Sequence, residues 1–287
     1  MPYTPGASLG GRLADLGAIP LGAVDGAGVA WHLQTLDGWD GPDLEAQYSA
    51  READHGAWAA PVYLRQRPVT LAGKIEAPAL PALDAAIEQL IAACSLTDTT
   101  LTVHETIPKQ ATVRRSGPPR VRHVTDRVAE FSLLVTAADP RRYSTTLQTQ
   151  TTGLPSVTGG LTLPLTVPLT ITASTSSGQL TLTNSGTIGT RPIFTIDGPV
   201  DSPVIVVQYA DSTVRQLAYS QALGTGDQLV IDTAARSVTL NASVSRRRYL
   251  SVQWPEIPPA SAVTVQWSAA SYSASALLTA SARSAWM

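Results

Sequence analysis

Ser8 lies in Gly6-Ala-Ser8-Leu-Gly10, the spacing that in serine hydrolases holds a nucleophilic hydroxyl on a strained strand-to-helix turn. That turn needs a strand before the serine and a helix after it, and Pro2 and Pro5 stand where the strand would run. The match therefore reads as accidental. Asp37, Asp40 and Asp43 offer three carboxylates to a hard cation such as calcium, but they are spaced by three residues. A calcium loop places its ligands on alternate residues and closes with a Glu, so these aspartates read as turn formers. His32, His55, His104 and His123 form no closely spaced pair and read as packed or surface histidines. Cys94 is the single cysteine, which leaves no intramolecular disulfide and no Cys-based zinc site. Gly224-Thr-Gly226-Asp lacks the Lys and the following helix of a phosphate loop. Glycan hydrolysis needs two acids across a cleft, and nothing in the spacing of Asp197, Asp201 and Glu256 pairs them. No catalytic, cofactor-binding or metal-ligating set is expected, and the chain is read as a non-enzyme without cofactors.

One local charge feature remains. Between Val113 and Arg127 stand Arg114, Arg115, Arg120, Arg122 and Arg127, around the centre Gly117-Pro-Pro119. Gly and Pro make that centre a loop between two strands. The arginines then form either a solvated hairpin tip or a contact to an acidic neighbour or to passing nucleic acid. A formal net charge of −2 argues against a dedicated nucleic-acid binder. Trp254 and Trp267 fall on alternating strands and Trp286 near the end; these read as core ahead of sugar-stacking platforms.

Several elements must position these groups. At 287 residues the chain has room for two domains, each with its own core. Only 15% of residues are charged, as expected of a subunit whose faces are covered by neighbours or of a β protein with a Ser/Thr surface. Asp37-Gly-Trp39-Asp-Gly-Pro-Asp43 is a compact turn that presents or buries Trp39. Val69 to Ile75 alternates with the two-residue period of a strand with one buried face, and Leu101 to Glu105 and Ala129 to Val135 supply further strands. Leu83, Ile87, Leu90, Ile91 and Cys94 form one apolar stripe on a helix from about Pro81 to Ala93, with Cys94 a small core residue at its end. One helix on a curved antiparallel sheet is predicted for the first domain. Prolines crowd the segment between Thr151 and Gly198, which reads as a connector separating the domains. From Leu180 to Thr183 and Ile193 to Ile196 within its far half, and on to Val263 to Trp267, short strands with turn signals about every ten residues predict a sandwich or jelly roll. The pattern leaves the order of Ala276-Leu-Leu-Thr279 open. No secretion signal or membrane-spanning run is found, and the chain is expected to fold in a cytoplasm.

The sequence resembles the distal tail proteins of siphovirus-type phages, particularly those of actinobacterial phages. The likeness is carried by Gly159-Gly-Leu-Thr-Leu-Pro-Leu-Thr-Val-Pro-Leu169, Asn184-Ser-Gly-Thr187, Pro192-Ile-Phe-Thr-Ile-Asp-Gly-Pro199, Gly226 to Asp232, Arg236 to Asn241 and Arg283-Ser-Ala-Trp286. In the first half, Asp37 to Asp43, His55-Gly-Ala57, Arg67 to Gly73 and Ala138 to Tyr143 add to it. Asn241 is followed by Ala where the family often has Gly. The resemblance implies a mainly β chain with an N-terminal ring-forming belt domain, 1–145, and a C-terminal galectin-like sandwich, 146–287. It implies a homo-hexameric ring at the tail tip, joining the tail tube protein to the tip hub protein, with the tape measure protein as a further neighbour. DNA would pass through its channel as cargo, and no membrane is involved. The chain would reside in the virion after assembly in the host cytoplasm. On this view Trp39, Trp58 and Arg67 are candidate ring-interface or scaffold residues, and Arg114, Arg115, Arg120, Arg122 and Arg127 a candidate partner or lumen contact. A carbohydrate-binding module contacting the host cell wall is the alternative.

Overall fold

The computed structural model describes residues 13–93, 96–158 and 174–287. Ser8 and its flanking glycines, Cys94, and the proline-rich stretch 159–173 lie outside the described residues. Contacts divide the chain into two compact units, one reaching Thr145 and one spanning Thr146–Trp286. The chain is mainly β, with antiparallel sheets and a single α-helix among the described residues.

In the first unit the alternating run at Val69 belongs to strand Arg67–Glu76, in which Arg67, Val69, Leu71, Gly73 and Ile75 point inward. It pairs along its whole length with Val128–Ala137 on one side and, from Thr70 to Glu76, with Ala30–Asp37 on the other. The sheet continues from Val128–Ala137 through Lys109–Arg115, Thr99–His104 and Leu13–Leu16 to Ile19–Leu21. Its two ends then meet: Gly22 N donates to Trp31 O at 2.6 Å, and Trp31 N donates to Ala23 O at 2.9 Å. A sheet that curls back in this way satisfies edge groups that would otherwise face water or another chain. Asp25 holds the connecting turn, accepting from Ala27 N, Val29 N and the Trp31 indole at 2.9 to 3.0 Å.

The helix runs Leu80–Ala93, one residue earlier than the sequence predicts, and packs Leu83, Ala86, Ile87 and Leu90 into the core with Leu71 and Ile75. Pro81 sits in its first turn, where a missing N–H costs nothing. Residue 73 must be glycine for a steric reason: a Cβ there would fall on the His32 carbonyl oxygen of the neighbouring strand. The close approach coincides with a register shift between Leu33 and Thr35, where the outer strand carries one extra residue.

The second unit is a sandwich. One sheet has the order Gln148–Gly153, Leu277–Ala282, Ile193–Asp197, Gln228–Asp232, Ser237–Leu240, Val244–Ser245. The other runs Gln179–Asn184, Ser261–Ser268, Val204–Gln208, Val214–Tyr219, Leu250–Val252. Phe194, Ile196, Leu229, Ile231 and Leu278 from the first face Leu182, Ile205, Val207, Val263, Val265 and Trp267 from the second in one core. Within the described parts of the proline-rich segment, the strands expected at Leu180–Thr183 and Ile193–Ile196 are found as Gln179–Asn184 and Ile193–Asp197 of this sandwich, their apolar residues alternating and Pro192 falling between them. Of Ala276-Leu-Leu-Thr279, left open by the pattern, Ala276 is buried and Leu277 to Thr279 begin the strand Leu277–Ala282, flanked on both sides.

Replacing Gly73 by Ala forces Arg67–Glu76 and Ala30–Asp37 apart and is expected to cost about 1–3 kcal/mol, the usual range for overpacking. Urea unfolding reads this directly, and an unchanged midpoint would show that the strands yield freely there.

Candidate functional site

Two features of the first unit stand out, an exposed ribbon and the buried root that carries it. The ribbon is a long hairpin. Leu44–Glu45 pairs with Tyr63–Leu64, and further out Tyr48–Ala50 pairs with Ala57–Ala59. Arg65 N donates to Asp43 O at 2.8 Å and Ala60 N to Gln47 O at 2.9 Å, which joins the two ladders into one arm. Every residue from 43 to 63 is exposed. Among them are Leu44, Tyr48, Trp58 and Tyr63, each with more than half its surface in water, Trp58 at 66%. An isolated two-stranded ribbon is marginally stable by itself, and large apolar groups exposed on it mark an interaction surface. Arg51 lies over the Trp58 ring, 4.6 Å from its centre, and pairs with Asp54 at 3.3 Å.

The root is built from the turn after Asp37. Trp39 is fully buried and its indole N–H donates to Glu105 at 2.8 Å. Glu105 also accepts from Lys109 at 2.5 Å and lies 3.9 Å from Arg142, whose guanidinium sits over the Trp39 ring at 5.6 Å. Arg67 is fully buried too. Its Nε donates to Pro140 O at 2.8 Å and its Nη1 to Trp39 O at 2.6 Å, with Gly38 O at 3.4 Å. Gly38 has a φ of +82° and packs against the Pro68 carbonyl, so no side chain fits there.

These surroundings set the charges. Burial, and then the positive charge of Arg142, lower the Arg67 pKa to about 10, with Asp40 acting the other way; the group stays cationic at neutral pH. Burial would raise the Glu105 pKa, but the bonds from Lys109 and Trp39 and the charges of Lys109 and Arg142 outweigh it and hold the carboxyl below its ordinary value. What the arrangement does chemically is mechanical: it clamps the base of the arm to the sheet.

Of the residues singled out from sequence, Trp39 and Arg67 are thus brought together inside the root, while Trp58 lies on the exposed arm. Arg114 and Arg115 end the strand Lys109–Arg115, Arg120 and Arg122 lie on Arg120–Thr125, and Arg127 sits in the turn before Val128. Arg114 pairs with Asp98 at 2.8 Å and Arg122 with Glu130 at 2.5 Å. Arg114, Arg115 and Asp98 line an open hollow of about 490 Å³ with Ser116, Thr136 and Asp139. The histidines are dispersed, His32 beside Glu76, His104 beside Asp15 and His123 beside Asp84. No group of three or more metal-ligating side chains is found among the described residues. Trp267 is buried, donating to Gly153 O at 2.8 Å, and Trp254 lies beneath Arg247, so neither presents an open ring face for a sugar. Sequence reasoning missed Tyr48 and Tyr63 on the arm. The only local signal was a stretch rich in aromatics with no apolar period, which marks a ribbon wet on both faces.

Substituting Arg67 by Met leaves the Pro140 and Trp39 carbonyls without a donor and is expected to cost about 2 kcal/mol or more in urea unfolding. Glu105 gives a pH signature. Because its folded-state pKa is depressed, its contribution is complete above the ordinary value of 4.5 and is lost as pH falls below it. Comparing Glu105→Gln with the parent, the stability gap should narrow on acidification; a gap independent of pH would contradict the assignment.

No family model and no curated protein matches this chain. Among solved structures, the Dit protein of phage SPP1 aligns over 89% of this chain and 93% of its own, with 13% identity and a TM-score of 0.60. It is described as a paradigm of the hub adsorption apparatus in phages that infect Gram-positive hosts. A chain of the phage P2 baseplate in its calcium-activated conformation covers 91% of this chain and 99% of its own at 9% identity, with a TM-score of 0.46. The strontium form gives the same coverage at 10% identity, with a TM-score of 0.47. Over nearly the full length of both molecules, this chain has the fold of the SPP1 Dit protein.

Proposed function

We propose that the chain is a distal tail protein of a siphovirus-type phage, a structural adaptor in which six copies close a ring between the tail tube and the tip hub. The observation that carries this reading is the shared fold with SPP1 Dit across both units. The arm supports it independently. A ring requires a heterologous joint, in which two different faces of one subunit meet and the rotation closes. Tyr48, Trp58 and Tyr63, exposed on a ribbon with a rigid root, are suited to lie against the next copy. The first unit thus closes the ring around a channel for DNA. The tail tube, hub and tape measure proteins are its neighbours, and the arginines from Arg114 to Arg127 face a partner or the lumen. Its place is the tail tip of the virion, after assembly in the host cytoplasm. The chain works by fitting surfaces and turns over no substrate.

Concentrated protein should run as a hexamer by light scattering and show six-fold rings by electron microscopy. Truncating Trp58 to Ala should weaken assembly at least about tenfold, as loss of an interface tryptophan commonly does. The melting temperature should hold, since Trp58 is exposed. A monomer at every concentration, alone and mixed with its tail partners, would end this reading.

A further inference from the structure

The second unit carries seven arginines and no lysine, and four of those arginines gather at one place. Arg246, Arg247 and Arg248 lead into and form a short 3-10 turn, Arg247–Tyr249, which precedes the edge strand Leu250–Val252. Arg247 lies over the Trp254 ring at 5.1 Å, and Arg248 and Arg246 lie over Tyr249 at 4.5 and 5.7 Å. Arg215, on the adjoining strand, donates to Trp254 O at 2.7 Å, and Arg247 donates to Leu250 O at 2.9 Å. None of the four forms an ion pair with a described carboxylate.

The aspartates of this unit are committed elsewhere. Asp211 accepts from Thr213, Asp232 from Ala234 N and Ala235 N, and Asp227 from Asn241 and Gly224 N. Asp227 feels the charge of Arg246 without pairing with it. The Arg246 Nε is buried with no acceptor among the described residues. A cluster of like charges left unneutralised in a weakly charged molecule is a standing repulsion, and an incoming anion relieves it.

We infer that this patch docks an acidic protein segment, the carboxylates of a partner engaging Arg215, Arg246, Arg247 and Arg248. The make-up favours a protein over a phosphate polymer. Arginine, tryptophan and tyrosine without lysine is the composition of interface hot spots. The guanidinium groups also lie over the aromatic rings, which disfavours stacking of a base or sugar there, while the N–H groups not already donated to Trp254 O, Leu250 O or the Tyr249 hydroxyl remain to grip carboxylates.

The test uses the full chain and a fluorescein-labelled Glu-Gly repeat peptide, followed by anisotropy at rising salt, with inorganic polyphosphate in a parallel titration. The peptide should bind saturably and weaken as salt rises. The exposed pair Arg247→Gln and Arg248→Gln should lose about tenfold in affinity for each arginine with an unchanged melting temperature. Arg247→Lys with Arg248→Lys should also bind more weakly, because lysine keeps the charge without the stacked plane. No binding of the peptide, equal binding by the Gln variant, or binding of polyphosphate alone would each overturn the inference. Ring formation is read separately by electron microscopy, so loss of this binding and failure of the ring proposal remain distinguishable.

Discussion

A guanidinium held wholly out of water is the constraint on which the first unit is organised. Arg67 heads the central strand, and its charge is tolerable only while backbone carbonyls converge on it. Those carbonyls come from the turn that launches the arm and from Pro140, far along the chain. One side chain therefore fixes where the arm departs and what lies beneath it. Trp39, Glu105, Lys109 and Arg142 complete the same root, with one carboxylate shared among an indole and two cations. A ribbon with no buried face of its own gains a defined direction only from such an anchor.

Much of the scaffold is legible in the sequence where one face is apolar and the other is not. Val69 to Ile75, Ala129 to Val135 and Val263 to Trp267 alternate, and all lie within strands with alternating burial. The stripe Leu83, Ile87, Leu90 gives the helix to within a residue at its start. The strand Leu277–Ala282 was harder to see because its inward residues are mostly alanines between serine and threonine, with little hydrophobic contrast. The arm has no period at all, since neither face is buried. The resemblance marks Arg67 as an interface or scaffold residue, but its burial is not legible until its carbonyl acceptors are known, and those lie 28 and 73 residues away in the chain. A cluster such as Arg246 to Arg248 with Trp254 is visible as letters, but its lack of carboxylate partners is a property of the fold alone.

The second unit follows a different rule from the first. In the first, charges pair with one another across strands, as Arg122 does with Glu130 and Arg114 with Asp98. In the second, carboxylates serve as turn acceptors and polar ties are made by neutral groups. Asn184 is the extreme case: nearly fully buried, it donates to Ile188 O, Ile257 O and Pro258 O and accepts from Gly186 N and Ala285 N. An amide that fills donor and acceptor roles together joins loops without any desolvated charge. Arg215, Arg246, Arg247 and Arg248 thereby keep no carboxylate partner among the described residues.

The order of strands in the sandwich also bears on synthesis. Leu277–Ala282 sits between Gln148–Gly153 and Ile193–Asp197, so two strands made early have no shared neighbour until residue 282 has left the ribosome. The central strands of the first unit, from Leu13–Leu16 to Val128–Ala137, all precede Thr146 and meet no such delay. Translation thus completes the arm and its anchoring strands while the companion sheet still waits for its keystone.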